Sequence, residues 1–281
     1  MTTQIVKGFK KNLLFLKIDN QDYFFKYSRL NQSNHRIKNE VKVYKILNDK
    51  KFSYFDYSKL AIYGDSYFMS TVLKRDSCND IDINFSRAIK EFNFSIINSR
   101  RIRLNRFLLD NIYLRFIILS ITLYYKRIIR ISHLLYSIKV LLNIIISKGY
   151  KKKFLIHKDL KLGKNNFVTQ DKKLGLFDFE LTKVTKKLFL LDIIDFSYNL
   201  DDFSMNYDIV IDYLNLINEF EISFSKLKSQ IMFLQLRLHF HSLRHKNMPY
   251  KNNPECYLNK LIKSNFYLKE LRDKFHFSNL Q

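Results

Sequence analysis

Two aspartates that lie nineteen residues apart, Asp159 and Asp178, are the residues of this chain best suited to chemistry. Each follows a short apolar run, at 154–156 and 174–177, and asparagines lie between them. In phosphoryl transfer, one carboxylate orients the attacking hydroxyl, while an amide and a second carboxylate hold magnesium against the nucleotide phosphates. The order carboxylate, amide, carboxylate therefore predicts a phosphoryl-transfer site. The simpler interpretation is a pair of polar turns between strands.

The individual roles follow from residue type and position. Asp159 is the predicted catalytic base, and His157 is predicted to pack beneath the same loop. Asp178 is the predicted magnesium ligand, because hard cations take carboxylate oxygen. Asn166 and Asn165 are the candidate amide ligands, since either one fits a short hairpin that leads to Asp178.

The elements that must position these residues begin with strands. Apolar runs at 13–18 and 23–27 flank a polar turn and predict a hairpin. A second strand pair is predicted at 60–63 and 67–73, around the turn at Gly64. The first 75 residues are therefore expected to be rich in β-structure.

Helices are expected between and after these strands. Ser33 or Asn34 is the predicted cap of the first helix. The chain then has helical patterns from about 83 to 147, from 188 to 245, and in the C-terminal stretch. A β-rich part followed by a mainly helical part predicts an α+β fold. The apolar residues of the first helix that recur at helical spacing are Ile37, Val41, Tyr44 and Leu47.

The composition is that of a folded, strongly basic protein. Hydrophobic residues make up 47% of the 281 residues, with only 5 Gly and 2 Pro, which argues against disorder. The net charge of +23 favours anionic partners such as nucleotides, phosphorylated glycans, nucleic acid or an anionic membrane face. Cys78 and Cys256 lack metal-type spacing. The N-terminus lacks a signal-peptide hydrophobic region, so the expected location is the cytoplasm.

A basic, apolar stretch between 100 and 130 suggests a further surface. Arginines precede the ten-residue run Phe116–Tyr125, and Lys126, Arg127 and Arg130 follow it. Ten apolar residues are too few to span a bilayer, but such a helix could lie against a membrane. The alternative is a buried core helix with a solvated basic rim.

The two aspartate loops resemble the catalytic and metal-binding loops of the protein-kinase-like superfamily. The resemblance implies a bilobal fold, with a nucleotide-binding lobe at 1–75 and a catalytic and acceptor-binding lobe at 76–281. It also implies ATP and Mg²⁺ as cofactors. Asp192 and Asp195, which share a helix face, would then either support the catalytic loop or cap a helix.

The same resemblance assigns roles to two earlier residues. In kinase-like proteins, a strand lysine holds the α- and β-phosphates and pairs with a glutamate of the next helix. Lys26, near the end of the second predicted strand, and Glu40, in the middle of the first predicted helix, match that pattern. Taken alone, each would be read as an ordinary surface charge.

Within the superfamily, residues 10 to 200 resemble the lipopolysaccharide core kinases of Gram-negative bacteria. The shared features are Lys26, Glu40, the His157-x-Asp159 loop, an Asn-Phe-Val strand at 166–168, and Asp178. The resemblance implies a cytoplasmic phosphotransferase that acts on a sugar hydroxyl of lipopolysaccharide core or a related glycan. An anionic or lipid-linked acceptor would place the protein at the inner face of the cytoplasmic membrane.

Three departures from the family pattern bear on this interpretation. Lys164 stands where the family pattern has the amide, so Asn165 and Asn166 come one and two residues late. The resemblance favours Asn166, because an Asn-Phe-Val strand begins there, with Asn165 as the second candidate. Glu180 replaces the glycine that is common in protein kinases, which favours small-molecule or glycan kinases. The phosphate-covering loop is represented only by Gly8.

Three alternatives stay open from the sequence. Kinases of the aminoglycoside and choline type share the loops, although a chain of charge +23 fits poorly with cationic acceptors. A catalytically dead kinase-like scaffold would explain the displaced amide. A nucleic-acid-binding protein would use the basic helices, but no binding motif supports it.

Overall fold

The computed structural model of the chain describes residues 4–7, 13–28, 31–48, 50–74, 84–96, 111–147, 153–160, 166–168, 172–198, 205–217 and 224–244. The strands are β1 (Gln4–Lys7), β2 (Leu13–Ile18), β3 (Gln21–Tyr27), β4 (Phe55–Tyr57), β5 (Leu60–Tyr63), β6 (Tyr67–Thr71), β7 (Phe154–Ile156), β8 (Asn166–Val168), β9 (Leu174–Leu176) and β10 (Lys183–Thr185). The helices are α1 (Asn31–Leu47), α2 (Phe85–Phe94), α3 (Ile112–Tyr125), α4 (Ile131–Ile146), α5 (Leu191–Ser197), α6 (Tyr207–Leu216) and α7 (Phe224–Arg244).

The predicted α+β class is confirmed, with a β-rich N-terminal part before a helical C-terminal part. The chain divides into two compact units, one of Met1–Phe107 and Lys152–Lys186, the other of Leu108–Lys151 and Lys187–Gln281. The lobe boundary predicted near residue 75 falls inside the first unit and stays a prediction.

The first unit is built on an antiparallel sheet of order β1-β2-β3-β6-β5. The predicted hairpin is confirmed, and its turn is tighter than expected, because β3 already begins at Gln21. Asp19 and Asn20 occupy this turn with φ of 46° and 62°. Aspartate and asparagine tolerate this left-handed backbone, which suits the twist of a two-residue hairpin.

The first helix packs its predicted apolar face inward. Its side chains at the helical spacing are buried, and the Tyr44 ring contacts that of Phe68 on β6 at 5.5 Å. The predicted cap at Ser33 or Asn34 is wrong, since α1 already begins at Asn31 and both residues lie in its first turn. The buried residues that confirm the face are Ile37, Val41, Tyr44 and Leu47.

Short strands carry the two predicted loops of the first unit. The strands predicted before and between the aspartates are confirmed as β7, β8 and β9, with β9 between β8 and β4. β7 pairs with β10 and packs against α2, whose Asn93 donates from Nδ2 to the Leu155 carbonyl at 2.7 Å. Sequence reasoning missed β1, and it missed β4 and β10, which are three residues long.

The regular elements described in the second unit are helices, apart from an isolated bridge between Tyr198 and Met205. α3 and α4 pack on each other and on α7, where the Phe116 ring contacts those of Phe233 and Phe240 at 5.0 and 5.5 Å. None of the described helices combines the length and apolar character needed to cross a membrane. The predicted C-terminal helical stretch after residue 244 lies outside the described residues, as do Arg100, Arg101, Arg103 and Arg106.

Candidate active site

The ammonium group of Lys26 is the centre of a charged cluster. Its Nζ donates to Glu40 Oε2 at 2.8 Å, to Asp178 Oδ1 at 2.8 Å and to Glu180 Oε2 at 3.1 Å. Glu40, Asp178 and Glu180 are called the carboxylate cluster below. The structure thus brings together three residues singled out in the sequence, Lys26, Glu40 and Asp178, and adds Glu180.

The sheet and the first helix fix Lys26 and Glu40. β3 is bonded to a strand on each side, and Lys26 lies opposite Leu13 on β2 and Phe68 on β6. Glu40 is 2% exposed on α1, and it uses both carboxylate oxygens. Oε2 accepts from Lys26, and Oε1 accepts from the backbone N–H of Phe179 at 3.2 Å. Glu40 therefore joins the lysine strand to the Asp178 loop.

The loop that carries Asp178 has an unusual backbone and a buried anchor. Asp178 follows β9 in a left-handed conformation, with φ 61° and ψ 56°, and a 3₁₀ turn, Phe179–Leu181, follows it. Such conformations often occur at functional sites, where the surrounding structure maintains them. The Phe179 ring supplies that support, because it is fully buried and lies 5.2, 5.8 and 5.3 Å from the rings of Tyr44, Phe92 and His157.

A buried amide ties the same loop to the first helix. Asn39 Nδ2 donates to the carbonyl oxygens of Thr182 at 2.9 Å and Glu180 at 3.1 Å. Since buried carbonyl groups need partners, these bonds hold the turn in place beside α1. Asn39 is therefore a positioning residue for the carboxylate cluster.

The predicted catalytic loop is hydrogen-bonded to the residue that precedes Asp178. His157 Nε2 donates to the Phe177 carbonyl at 2.8 Å, and its ring is fully buried. The predicted packing of His157 beneath the loop is confirmed. Lys158 follows with φ 71°, and Asp159 is half-buried at the next position.

The asparagine candidates are described only in part. Asn166 begins β8, and its backbone pairs with that of Leu176 on β9, which comes two residues before Asp178. Its side chain and the whole of Asn165 lie outside the described residues. Their role as metal ligands stays a prediction.

Burial and crowding of charge set the protonation of the cluster. Burial alone would lower the pKa of Lys26, but Glu40, Asp178 and Glu180 together raise it well above its usual value. Burial raises the pKa of Glu40 to about 7, with Lys26 opposing that shift and the charges of Asp178 and Glu180 adding to it. The lysine is therefore a firmly held cation among more carboxylates than it can neutralise.

A cavity of about 420 Å³ opens beside this cluster within the first unit. Its size lies in the range of small-ligand sites, about 300–1,000 Å³. Lys26, Arg36 and the carboxylate cluster line its charged part. The apolar part is lined by Leu13, Phe24, Ile37, Tyr44, Phe68 and Phe177.

The cluster also has the donor chemistry of a magnesium site. Carboxylate oxygens of Glu40, Asp178 and Glu180 lie within 4.8 Å of one another, and Mg²⁺ prefers such hard oxygen ligands. Both oxygens of buried Glu40 are already engaged by Lys26 and Phe179. Asp178 and Glu180 are partly exposed, whereas Glu40 is buried, so the first two are the residues that an ion could reach.

Sequence reasoning missed three residues of this site. Glu180 was recognised as a departure from glycine but not as a member of the cluster. Arg36, whose Nη1 lies 3.5 Å from Glu180 Oε1, stands one helical turn before Glu40, a spacing that could have placed it on the same face. Asn39 left no sequence signal, because its partners are backbone carbonyl groups of a distant turn.

The second acidic pair lies in the second unit. Asp192 and Asp195 are both buried on α5, and Asp195 forms an ion pair with Arg237 of α7. Leu190, rather than an aspartate, occupies the cap position of α5. Support of the catalytic loop by Asp192 or Asp195 stays a prediction.

Known structures with this fold include phosphotransferases of small molecules. No protein-family model and no curated protein matches the sequence. The ADP-bound aminoglycoside phosphotransferase APH(2'')-Ib is similar with a TM-score of 0.58 and 14% identity, over 94% of this chain and 92% of that one. The gentamicin complex of APH(2'')-IIa gives 0.58 and 12%, over 94% and 91%. Choline kinase LicA from Streptococcus pneumoniae gives 0.57 and 12%, over 93% of each chain.

These similarities extend over nearly the whole chain, and at such low identity they concern the fold. The chain has the same fold as these phosphotransferases. The resemblance to lipopolysaccharide core kinases stays a prediction.

Proposed function

We propose that the protein is an ATP-dependent kinase that phosphorylates a hydroxyl group. The observation that carries the proposal is the contact of Lys26 with both Glu40 and Asp178, each at 2.8 Å, beside a cavity of about 420 Å³. A strand lysine, a helix glutamate and a loop aspartate joined in this way are the parts that phosphoryl transfer requires. Relatives of the fold solved with ADP support the choice of nucleotide.

Lys26 would hold the phosphates of ATP. An ammonium group has three donors, and in the structure three carboxylates accept from them. Contact with a phosphate therefore requires the lysine to release one partner. Glu40 is fixed by a second bond and by burial, so the partner released is Asp178 or Glu180.

Asp159 would serve the acceptor. Its carboxylate takes the proton of the acceptor hydroxyl as that oxygen bonds to the γ-phosphorus, and the bond from the γ-phosphorus to the β-γ bridging oxygen breaks to release ADP. Asp178 and Glu180, with Asn166 or Asn165, would hold Mg²⁺, which neutralises charge on the phosphates when bound. These residues would position the phosphates of the nucleotide, and Asp159 would position the acceptor hydroxyl.

The acceptor that we favour is a sugar hydroxyl of lipopolysaccharide core or a related anionic, lipid-linked glycan. The motif resemblance and the net charge of +23 support it, because a basic surface attracts anionic ligands. An acceptor of that kind would be met at the cytoplasmic face of the membrane.

A small-molecule acceptor is the second candidate. Similarity to a gentamicin-bound phosphotransferase and to a choline kinase favours it. Glu180 at the position of the usual glycine is also compatible with that class. A catalytically dead scaffold is the third alternative, in view of the displaced amide at Lys164.

The experiment is to incubate the protein with γ-labelled ATP and Mg²⁺ in the presence of an envelope extract, gentamicin or choline, and to identify the labelled product. Transfer to an envelope glycan supports the favoured acceptor, and transfer to gentamicin or choline supports the second candidate. Asp159→Asn should abolish transfer and leave nucleotide binding intact. The matched control is Asp65→Asn, a change at an exposed aspartate. Nucleotide binding without transfer to any acceptor in wild type would favour the scaffold.

A further inference from the structure

The outer faces of α3 and α4 form an exposed apolar surface. In the described part of the chain, fourteen large hydrophobic side chains are exposed, and ten of them lie on these two helices or at their ends. We call these ten residues the apolar stripe: Ile118, Ile121, Tyr124, Tyr125, Ile131, Leu135, Ile138, Leu142, Ile145 and Ile146.

The stripe lies opposite the faces that hold the unit together. On α4, exposed Leu135, Ile138 and Leu142 recur at helical spacing, while Val140 and Ile144 of the same helix are buried. Both helices pack on α7 with their buried faces, so the stripe points away from the core. A helix that is apolar on two opposite faces has one more surface to bury than the described part of the chain covers.

The charged side chains of the segment that carries the stripe are all of one sign. Residues 111–147 contain no Asp or Glu. Arg115, Lys126, Arg127, Arg130 and Lys139 are exposed in this segment, three of them at the turn between the two helices. Tyr124 and Tyr125 adjoin that turn, and tyrosine is a residue of membrane–water interfaces. Apolar side chains bordered by Lys and Arg match the surface of an anionic bilayer.

We propose that the apolar stripe of α3 and α4 lies on the surface of an anionic lipid bilayer. α4 has 16 residues, about 24 Å of helix, and would lie in the plane of the interface. The basic side chains at its borders would reach the headgroups while the stripe enters the acyl boundary. A second copy of the chain is less well suited to cover the stripe, because a two-fold contact through this face would bring the basic residues of the two copies together and they would repel.

Vesicle flotation of the full chain tests the proposal, in the absence of ATP and acceptor so that the outcome is independent of the proposed kinase activity. The vesicles contain phosphatidylcholine alone or phosphatidylcholine with phosphatidylglycerol. Wild type should float with the anionic vesicles, and added salt should weaken the binding. The combined variant Leu135→Gln, Ile138→Gln and Leu142→Gln should reduce the partition coefficient about tenfold or more.

Matched variants test whether vesicle binding depends on the apolar stripe itself or on any exposed apolar or basic side chain. Leu135→Gln should weaken binding, whereas Ile62→Gln should leave it unchanged, although the two side chains are 60% and 54% exposed. Lys126→Gln with Lys139→Gln should weaken binding to anionic vesicles only. Glutamine is a good helix former, so the α4 variants should keep the thermal midpoint of wild type.

Four results would overturn the proposal. Wild type could fail to float with either vesicle, or the triple α4 variant could float as well as wild type. A clear fall in the thermal midpoint of that variant would mean that another part of the chain covers the stripe. A wild-type dimer in sedimentation that the variant converts to a monomer would mean that a second copy covers it.

Discussion

Lys26 and Asp178 lie 152 residues apart in the sequence, and their side chains form a 2.8 Å ion pair. Asp178 reaches the lysine from a left-handed backbone position, which is held by the buried ring of Phe179 and by the amide of Asn39. A contact between a sheet lysine and a loop carboxylate that needs so much support is expected where charge must be placed for a ligand.

Replacing Lys26 by methionine should remove nucleotide binding. Methionine keeps the stem of the side chain but loses the cation, so phosphates would meet three carboxylates without the ammonium group that contacts all of them. We expect kcat/KM for ATP to fall by about 10²–10³, the range found when a preorganised electrostatic contact is lost. Isothermal titration with ADP and steady-state turnover measure the two effects.

Lys17→Met is the matched control, because Lys17 is an exposed lysine of the adjacent strand β2. It should bind ADP as wild type does. Equal loss of binding in the two variants would show that net charge, and not the contact of Lys26, attracts the nucleotide.

The local parts of this site were predictable, and the long-range parts were not. The β2–β3 hairpin and the buried face of α1 follow from alternation and helical spacing, which are read within a few residues. The start of α1 was misplaced because Ser33 and Asn34 suit a helix cap, whereas the backbone is helical from Asn31. β4 was missed because a three-residue strand is defined by its pairing with β9 rather than by its own pattern.

Glu180 illustrates the limit of sequence reasoning about the site. Its contact with Lys26 spans 154 residues, and its contact with Arg36 spans 144. No spacing rule predicts such a meeting. The sequence predicted Lys26, Glu40 and Asp178 from their order along the chain, and the fold brings these three side chains into one cluster.

Replacing Asp178 by asparagine should impair the metal side of the reaction. The amide keeps the shape of the side chain but removes one of the two carboxylates that fit Mg²⁺. We expect kcat to fall by about 10² or more, and a higher Mg²⁺ concentration to be needed for half-maximal turnover. The measurement is ATP turnover as a function of Mg²⁺ concentration.

Asp65→Asn provides the comparison, because Asp65 is an exposed aspartate whose ion pair with Lys38 spans 3.4 Å. It should leave the Mg²⁺ dependence unchanged. A loss smaller than about tenfold in Asp178→Asn would count against Asp178 as a metal ligand.

The protonation of Glu40 should make stability depend on pH. Its pKa in the folded protein is about 7, above the usual value of 4.5, so between these pH values the folded state binds a proton that the unfolded chain has released. The contribution of Glu40 to the free energy of unfolding should therefore fall as pH rises from about 4.5 to about 7, by up to about 3 kcal/mol. Below that window the contribution is fully present.

Urea unfolding of wild type and Glu40→Gln over this pH range tests the assignment. Glutamine cannot ionise, so the variant should gain stability relative to wild type as pH rises. Asp65→Asn, a carboxylate-to-amide change at an exposed residue outside the cluster, is the control and should retain the fall in stability that Glu40 causes. If Glu40→Gln and wild type have parallel pH profiles, the raised pKa of Glu40 is wrong.

Truncating Phe179 should destabilise the loop that carries Asp178. The ring is fully buried among Tyr44, Phe92 and His157, and Phe179→Ala would leave a cavity there. We expect the free energy of unfolding to fall by about 3–5 kcal/mol, with a smaller loss in Phe179→Leu. Ile62→Ala, at an exposed position of β5, should change stability by less than about 0.5 kcal/mol.

If Phe179→Ala lowered the free energy of unfolding as little as Ile62→Ala does, the ring could not be what holds Asp178 against Lys26. A binding measurement distinguishes the position of the Asp178 loop from the stability of the fold. Phe179→Leu, under conditions in which it is folded, should still lower the affinity for ADP. The reason is that the hydrogen bond from the backbone N–H of residue 179 to Glu40 depends on the same packing.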